Sequence, residues 1–188
     1  MTSPSTKRLS PLCLLVVGPL LLGGCGSRSN EIPLVNAGFE QTGDAQDPVP
    51  GWRLNQHAGS PAYEMTIDPT TAASGHASFR MHRLAPQFYG SIAQPAAVPK
   101  KHHGKVLLTA QMKTQDVGRK GWVLALTIVG PDGNQQIRAQ PLSGTHGFAE
   151  VSVSAKLPDN AQAIEVSVLL LDEGTGWLDD VRVRIDAD

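Results

Sequence analysis

The sequence predicts an all-β protein, an antiparallel β-sandwich of the jelly-roll kind. From Glu31 onward, apolar and polar residues alternate with a period of two in one segment after another, and no 3.6-residue stripe develops. The 19 glycines and 14 prolines suit many short strands joined by turns rather than long helices. At 188 residues there is room for one domain and hardly two, and neither an internal repeat nor a second domain is visible.

The chain begins with an address. Lys7 and Arg8 precede an apolar run from Leu12 to Leu22, well short of the roughly 20 residues that a helix needs to cross a bilayer. A positive start, a short apolar stretch and small residues read as a secretory signal. The run ends Leu22-Gly23-Gly24-Cys25, which resembles the lipobox of bacterial lipoproteins. That resemblance implies lipidation of the Cys25 thiol. Residues 1–24 are then a signal peptide, 25–30 a lipidated tether and 31–188 the folded domain. Gly26 stands where an aspartate would favour inner-membrane retention, so the expected location is the bacterial cell envelope, lipid-anchored in the outer membrane. Cys13 leaves with the signal, and the exported body keeps no free thiol.

Within the body the elements follow in order. Pro33–Ala73 is rich in turns, and Ala77–His82 alternates. Val106, Leu108, Ala110 and Met112 face one way; Thr109, Gln111 and Lys113 face the other. Trp122–Val129 is apolar on both faces except at Thr127, as in a doubly covered central strand. Pro131-Asp132-Gly133-Asn134 is a turn in which proline presets φ and glycine admits positive φ. Val151, Val153 and Ala155 alternate with Ser152, Ser154 and Lys156, and Ile164, Val166, Val168 and Leu170 oppose Glu165 and Ser167. About eight to ten such strands in one domain make a sandwich or jelly roll.

The last strand poses a problem in electrostatics. By the two-residue period Trp177, Asp179, Val181, Val183 and Ile185 share a face, opposite Leu178, Asp180, Arg182 and Arg184. Asp179 thus falls among apolar neighbours, where an ionised carboxylate costs several kcal/mol unless it is paired or metal-bound. Asp180 has a solvated face beside Arg182, but no basic residue shares the face of Asp179.

Four stretches carry a family resemblance: Val35-Asn36-Ala37-Gly38-Phe39-Glu40, Pro50-Gly51-Trp52, Ser74-Gly75-His76-Ala77-Ser78-Phe79-Arg80 and Gly176-Trp177-Leu178-Asp179-Asp180-Val181. In this order they resemble the galactose-binding-like jelly rolls, which include several carbohydrate-binding-module families. The resemblance covers nearly all of residues 31–186. It implies a structural calcium held by Glu40 and Asp179, with backbone carbonyls near Gly75 completing the shell, as suits a cation that takes oxygen ligands. The alternative is that Asp179 accepts backbone N–H bonds or pairs with a distant Arg or Lys. Recognisable too are Gln87–Gln94, Lys113–Val117 and Gly144-Thr145-His146, which resemble a bacterial version of the jelly roll from which no ligand follows.

Carbohydrate modules of this fold stack aromatic rings on sugar faces and add hydrogen bonds from polar side chains. Phe39, Phe79, Trp177, Phe148, Trp52 and Trp122 are placed in the core by parity or motif position, which leaves Tyr63, Phe88 and Tyr89. The Phe88 and Tyr89 rings alternate, so one of them is the stacking candidate, with Gln94, Gln111 and Arg80 as polar company.

Other chemistries find little support. Sixteen basic against 17 acidic side chains leave no surplus for phosphates, so no nucleic-acid partner is expected. Two cysteines exclude a disulfide scaffold and a cysteine-rich zinc site. No Gly-x-Ser-x-Gly, His-Glu-x-x-His or phosphate loop occurs. His102-His103 reads as a solvated turn, His57, His82 and His146 are isolated, and Asp116, Arg119 and Lys120 look like an exposed turn. The reading is a non-catalytic envelope lipoprotein with a glycan as first ligand. The alternatives are a structural module that binds an envelope protein and, third, a small carbohydrate-active enzyme using acids such as Glu40, Asp44 and Asp47 near Trp52.

Overall fold

The computed structural model describes residues 30–57, 59–100 and 103–186. The expected signal peptide and Cys25 lie outside the described residues, as does His102. Among the described residues there is no helix. Ten strands run β1 (Glu31–Ile32), β2 (Arg53–Gln56), β3 (Tyr63–Asp68), β4 (Ser78–Arg83), β5 (Gly90–Ala97), β6 (Lys105–Gly130), β7 (Gly133–Arg138), β8 (Leu142–Lys156), β9 (Ala163–Leu170) and β10 (Thr175–Asp186). All their pairings are antiparallel, in the order β2-β5-β9-β6-β10-β4-β3, with β1 added to β10 and both β7 and β8 to β6.

Strand β6 explains how one ladder becomes two packed layers. Its first half, Lys105–Val117, pairs with β10 and β8; its second half, from Trp122, pairs with β9 and β7. Between the halves Asp116 and Gly121 take positive φ, and the register with β8 shifts. The strand therefore turns from one sheet into the other, as bulges allow. The first sheet is β3-β4-β10-β6-β8 and the second β2-β5-β9-β6-β7. Phe39, Phe79, Met81, Leu108, Met112, Trp122, Leu124, Leu126 and Leu178 fill the interior and are fully buried.

Strand β10 departs from strict alternation. Its register with β6 slips between Asp179 and Arg182, and Asp180 sits at φ 51°. One extra residue resets the phase: Leu178 faces the core before the slip and Val181 after it. Asp179 therefore shares its face with Trp177 and not with Val181. Trp177 is buried but lies outside the core, on the outward face of the first sheet, where the Lys113 ammonium stands 4.5 Å from its ring. Phe148 belongs to the same outward face, half-buried, with Lys113 at 5.9 Å, and so is not a core residue either.

Candidate functional site

The predicted carboxylates meet at one loop. Asp179 is fully buried, and its Oδ2 accepts the N–H groups of Ala73 at 2.8 Å and Ser74 at 3.0 Å, while Oδ1 accepts that of Asp180 at 2.7 Å. Burial pushes its carboxyl above the ordinary aspartate range, and these three N–H groups pull it back only in part. Glu40 takes the far side of the loop: its oxygens accept the N–H of His76 at 2.9 and 3.2 Å and that of Ala77 at 3.4 Å. A Cβ on Gly75, itself at φ 64°, would stand 2.0 Å from Glu40 Oε1, so only glycine fits. Asp68 holds the loop's start through Thr70, and Ser78 Oγ donates to Thr71 O. Among the described residues no group of three or more His, Cys, Asp or Glu side chains is placed to hold a metal.

The predicted ligand set divides. Arg80 and Gln111 lie on the outward face of the first sheet, two strands apart, on either side of β10; Arg80 is opposite Trp177 and Gln111 opposite Asp179. Arg80 pairs with Glu64 at 3.1 Å, and the Trp177 indole N–H donates to Asp68 Oδ2 at 2.8 Å. Gln94 is a correction. It is 4% exposed and shares the inward parity of Ile92 and Ala96. Its amide both accepts the N–H of Val35, at 2.7 Å, and donates to the carbonyl of Val35, at 2.9 Å. The side chain acts as one rung of a ladder for the N-terminal segment and is spent there.

Phe88 and Tyr89 lie elsewhere, in the connection from β4 to β5. Phe88 is 75% exposed and Tyr89 half-buried. Both meet His57 edge-on, at 4.8 and 5.9 Å between ring centroids, so the two rings flank one imidazole rather than opposite sides of a sheet. The backbone N–H of His57 donates to Tyr89 O at 3.0 Å, and its Nδ1 is 3.1 Å from Gln87 Oε1. Beside them Arg83 ends β4, its side chain 14% exposed, with its guanidinium 3.5 Å from Asp172 Oδ1. The N–H of Lys120 donates to Asp172 Oδ2 at 3.3 Å; this bond, that from Glu173 and the charges of Lys120 and Arg83 hold the carboxyl below the ordinary range. A Cβ on Gly118 would meet Asp172 Oδ2 at 2.5 Å, so the glycine admits the carboxylate to the bend of β6.

Two adjoining hollows share Arg83 and Pro86. One, of about 310 Å³, is lined by Gln87, Phe88 and Lys120; the other, of about 340 Å³, by Leu84, Ala85, Asp172 and Glu173. An open ring beside a guanidinium, an ammonium, a carboxylate and an amide is the mixed surface that suits a sugar, whose C–H faces are apolar and whose edges are hydroxylated. Sequence reading missed Arg83 and Asp172 and took Lys120 for an exposed turn, because three separate connections bring them together.

Other candidates resolve locally. Asp44 caps its own turn through the N–H groups of Gln46 and Asp47. Trp52 packs against Phe39 at 5.2 Å, as the motif implied, and Tyr63 is buried with its hydroxyl on Leu170 O. His82 bonds Thr175, and His103 stands 3.6 Å from Asp159.

No family model matches the chain, and no curated protein does. Solved structures do match in fold. A cyclase from Fischerella sp. TAU, solved with 4-(1H-indol-3-yl)butan-2-one, superposes with a TM-score of 0.62 at 16% identity, over 84% of this chain and 98% of its own. TmCBM61, solved with beta-1,4-galactotriose, gives 0.55 at 18% identity, over 85% of this chain and 100% of its own. The enzymatically active domain of bacteriophage CBA120 tailspike protein 4 gives 0.63 at 13% identity over 82% of this chain, which spans about a fifth of that protein's length (21%). Further carbohydrate-binding modules share the fold, and the body is a jelly-roll β-sandwich of their kind.

Proposed function

We propose that this is a non-catalytic, lipid-anchored protein of the bacterial envelope whose jelly-roll domain binds a glycan at the end formed by Arg83, Gln87, Phe88 and Lys120. The observation that carries the reading is Phe88, a ring 75% open to solvent with charged and amide groups around it. Leu84, 61% exposed, lines the adjoining hollow, so the two side chains make a small open apolar patch rimmed by charge, the kind of surface that marks a binding site. The carbohydrate modules that share the fold lend support, and the lipobox resemblance at Cys25 supplies the anchor. In this reading the ring stacks on a sugar face, Arg83 is held in place by Asp172, and Gln87 and Lys120 reach hydroxyls. Arg80 and Gln111, on the outward sheet face, have no part in it.

A structural calcium belongs to the same proposal. Glu40 and Asp179 are hard oxygen donors that grip one loop from two sides, and their N–H contacts leave lone pairs on both carboxylates. Backbone carbonyls and water would complete the shell. The ion would neutralise both acids and tie the N-terminal segment to the last strand.

The test is a glycan array followed by calorimetry on the purified protein and on F88A, each with and without calcium. A glycan that binds the protein and is lost on F88A supports the reading. Binding to no glycan, or equal binding by F88A, removes it.

A further inference from the structure

We infer that the open edge of β8 is a dimerisation surface and that its occupant is the same strand of a second copy, paired antiparallel about Val153. The inference is independent of the glycan site. Among the described residues β8 pairs on one side only, with β6. Its regular stretch, residues 149–156, has no proline and no register break, and its single lysine stands at the last position, Lys156. Natural edges of this length are usually blunted by proline, central lysines or bulges, because an unpaired row of N–H and C=O groups is a template for another strand.

The register follows from three constraints. The β6–β8 ladder runs unbroken from Lys105 opposite Lys156 to Met112 opposite Ala149, then becomes irregular, so regular strand geometry is confined to 149–156. Within it Val151, Val153 and Ala155 turn inward, while Glu150, Ser152, Ser154 and Lys156 are exposed. A second copy that continues the same sheet must match inward with inward positions, so a residue opposes one an even number of positions away. Charge then selects among the remaining registers. Neither Glu150 nor Lys156 makes an ion pair among the described residues, and the cross-strand neighbour of Lys156 is another cation, Lys105. Centring the pair on Val153 sets Glu150 opposite the second copy's Lys156, twice by symmetry, with Ser152 opposite Ser154. Such a two-fold contact is self-complementary and closed, so it ends at a dimer instead of a fibre. The overlap of 150–156 adds roughly six backbone hydrogen bonds.

Sedimentation velocity of the purified full chain over a concentration series tests this. The expected result is a monomer–dimer equilibrium that weakens with salt. Both E150K and K156E should weaken dimerisation at least fivefold, and the double variant E150K/K156E should restore it to within about twofold. Both positions changed are exposed, so each of the three variants should fold, which circular dichroism checks. A monomer at every concentration overturns the inference. So does a dimer unmoved by the single variants, or one that the double variant fails to restore.

Discussion

The Oδ2 of Asp179 accepts the N–H of Ser74 at 3.0 Å across 105 residues of chain. A buried acid from the last strand thereby fixes the connection between β3 and β4. Charge-assisted bonds of this kind are worth about 1.5–3 kcal/mol each at most, and their loss strands the N–H groups of Ala73 and Ser74 as well. Asp179→Ala should lower stability by about 3 kcal/mol in urea unfolding without changing the slope. A loss under about 1 kcal/mol would show that the loop is held by Glu40 and Asp68 instead.

The calcium proposal predicts a linked effect. A ligand present at 100 times its dissociation constant adds about 2.7 kcal/mol, and in a domain of this size each kcal/mol moves Tm by about 2–4 °C. Chelation should therefore lower Tm by about 5–10 °C in the parent protein and leave Asp179→Ala almost unmoved. Elemental analysis of the dialysed protein without calcium, together with a chelator-insensitive Tm, would sink the metal while leaving the amide contacts of Asp179 intact.

The inward residues of β9 and of the two regular halves of β6 were readable in advance because alternation holds along each of those stretches. The bulge in β10 was not, because it rests on Asp180 taking φ 51°, a conformation that a non-glycine residue does not advertise. Parity did carry the information that Gln94 points inward with Ile92 and Ala96, but not that the backbone of Val35 waits there. The end cluster around Phe88 was half legible. The ring stood out as an aromatic outside the core pattern, whereas Arg83, Lys120 and Asp172 meet it only through tertiary structure.

The glycan reading gives Phe88 a specific signature. A side chain 75% exposed contributes little to folding, so Phe88→Ala should leave stability within about 0.5 kcal/mol. Loss of the stacking surface should weaken glycan binding about tenfold, or about 1.4 kcal/mol. A matched drop in Tm and affinity would mean that the ring props its loop through His57 and does not touch the sugar.

Acid should act through Asp68. Burial alone would raise its pKa, but hydrogen bonds from the Thr70 hydroxyl, the Trp177 indole, the Thr70 N–H and the Thr71 hydroxyl outweigh it and hold the carboxyl below the ordinary range. A lowered folded pKa gives stability that is present above the unfolded value, about 3.9, and that disappears as pH falls through the folded one. The stability difference between the parent and Asp68→Asn should thus be constant above about pH 5 and shrink below about pH 4. A difference that stays constant down to pH 2 would show that Asp68 contributes shape rather than charge.

Thr114 offers a gain instead of a loss. It is fully buried on β6, and its Oγ1 has no hydrogen-bond partner among the described residues. An unsatisfied buried hydroxyl costs about 1–3 kcal/mol relative to water, and Val has the same branched shape and favours a strand. Thr114→Val should therefore stabilise the domain by about 1 kcal/mol and raise Tm by about 2–4 °C. The backbone register of Thr114 with Gly176 and His146 should be untouched, since neither pairing uses the side chain. A fall in Tm would show that the hydroxyl has a partner in solution, such as an internal water, and that the orphaned oxygen is part of the design of the interior.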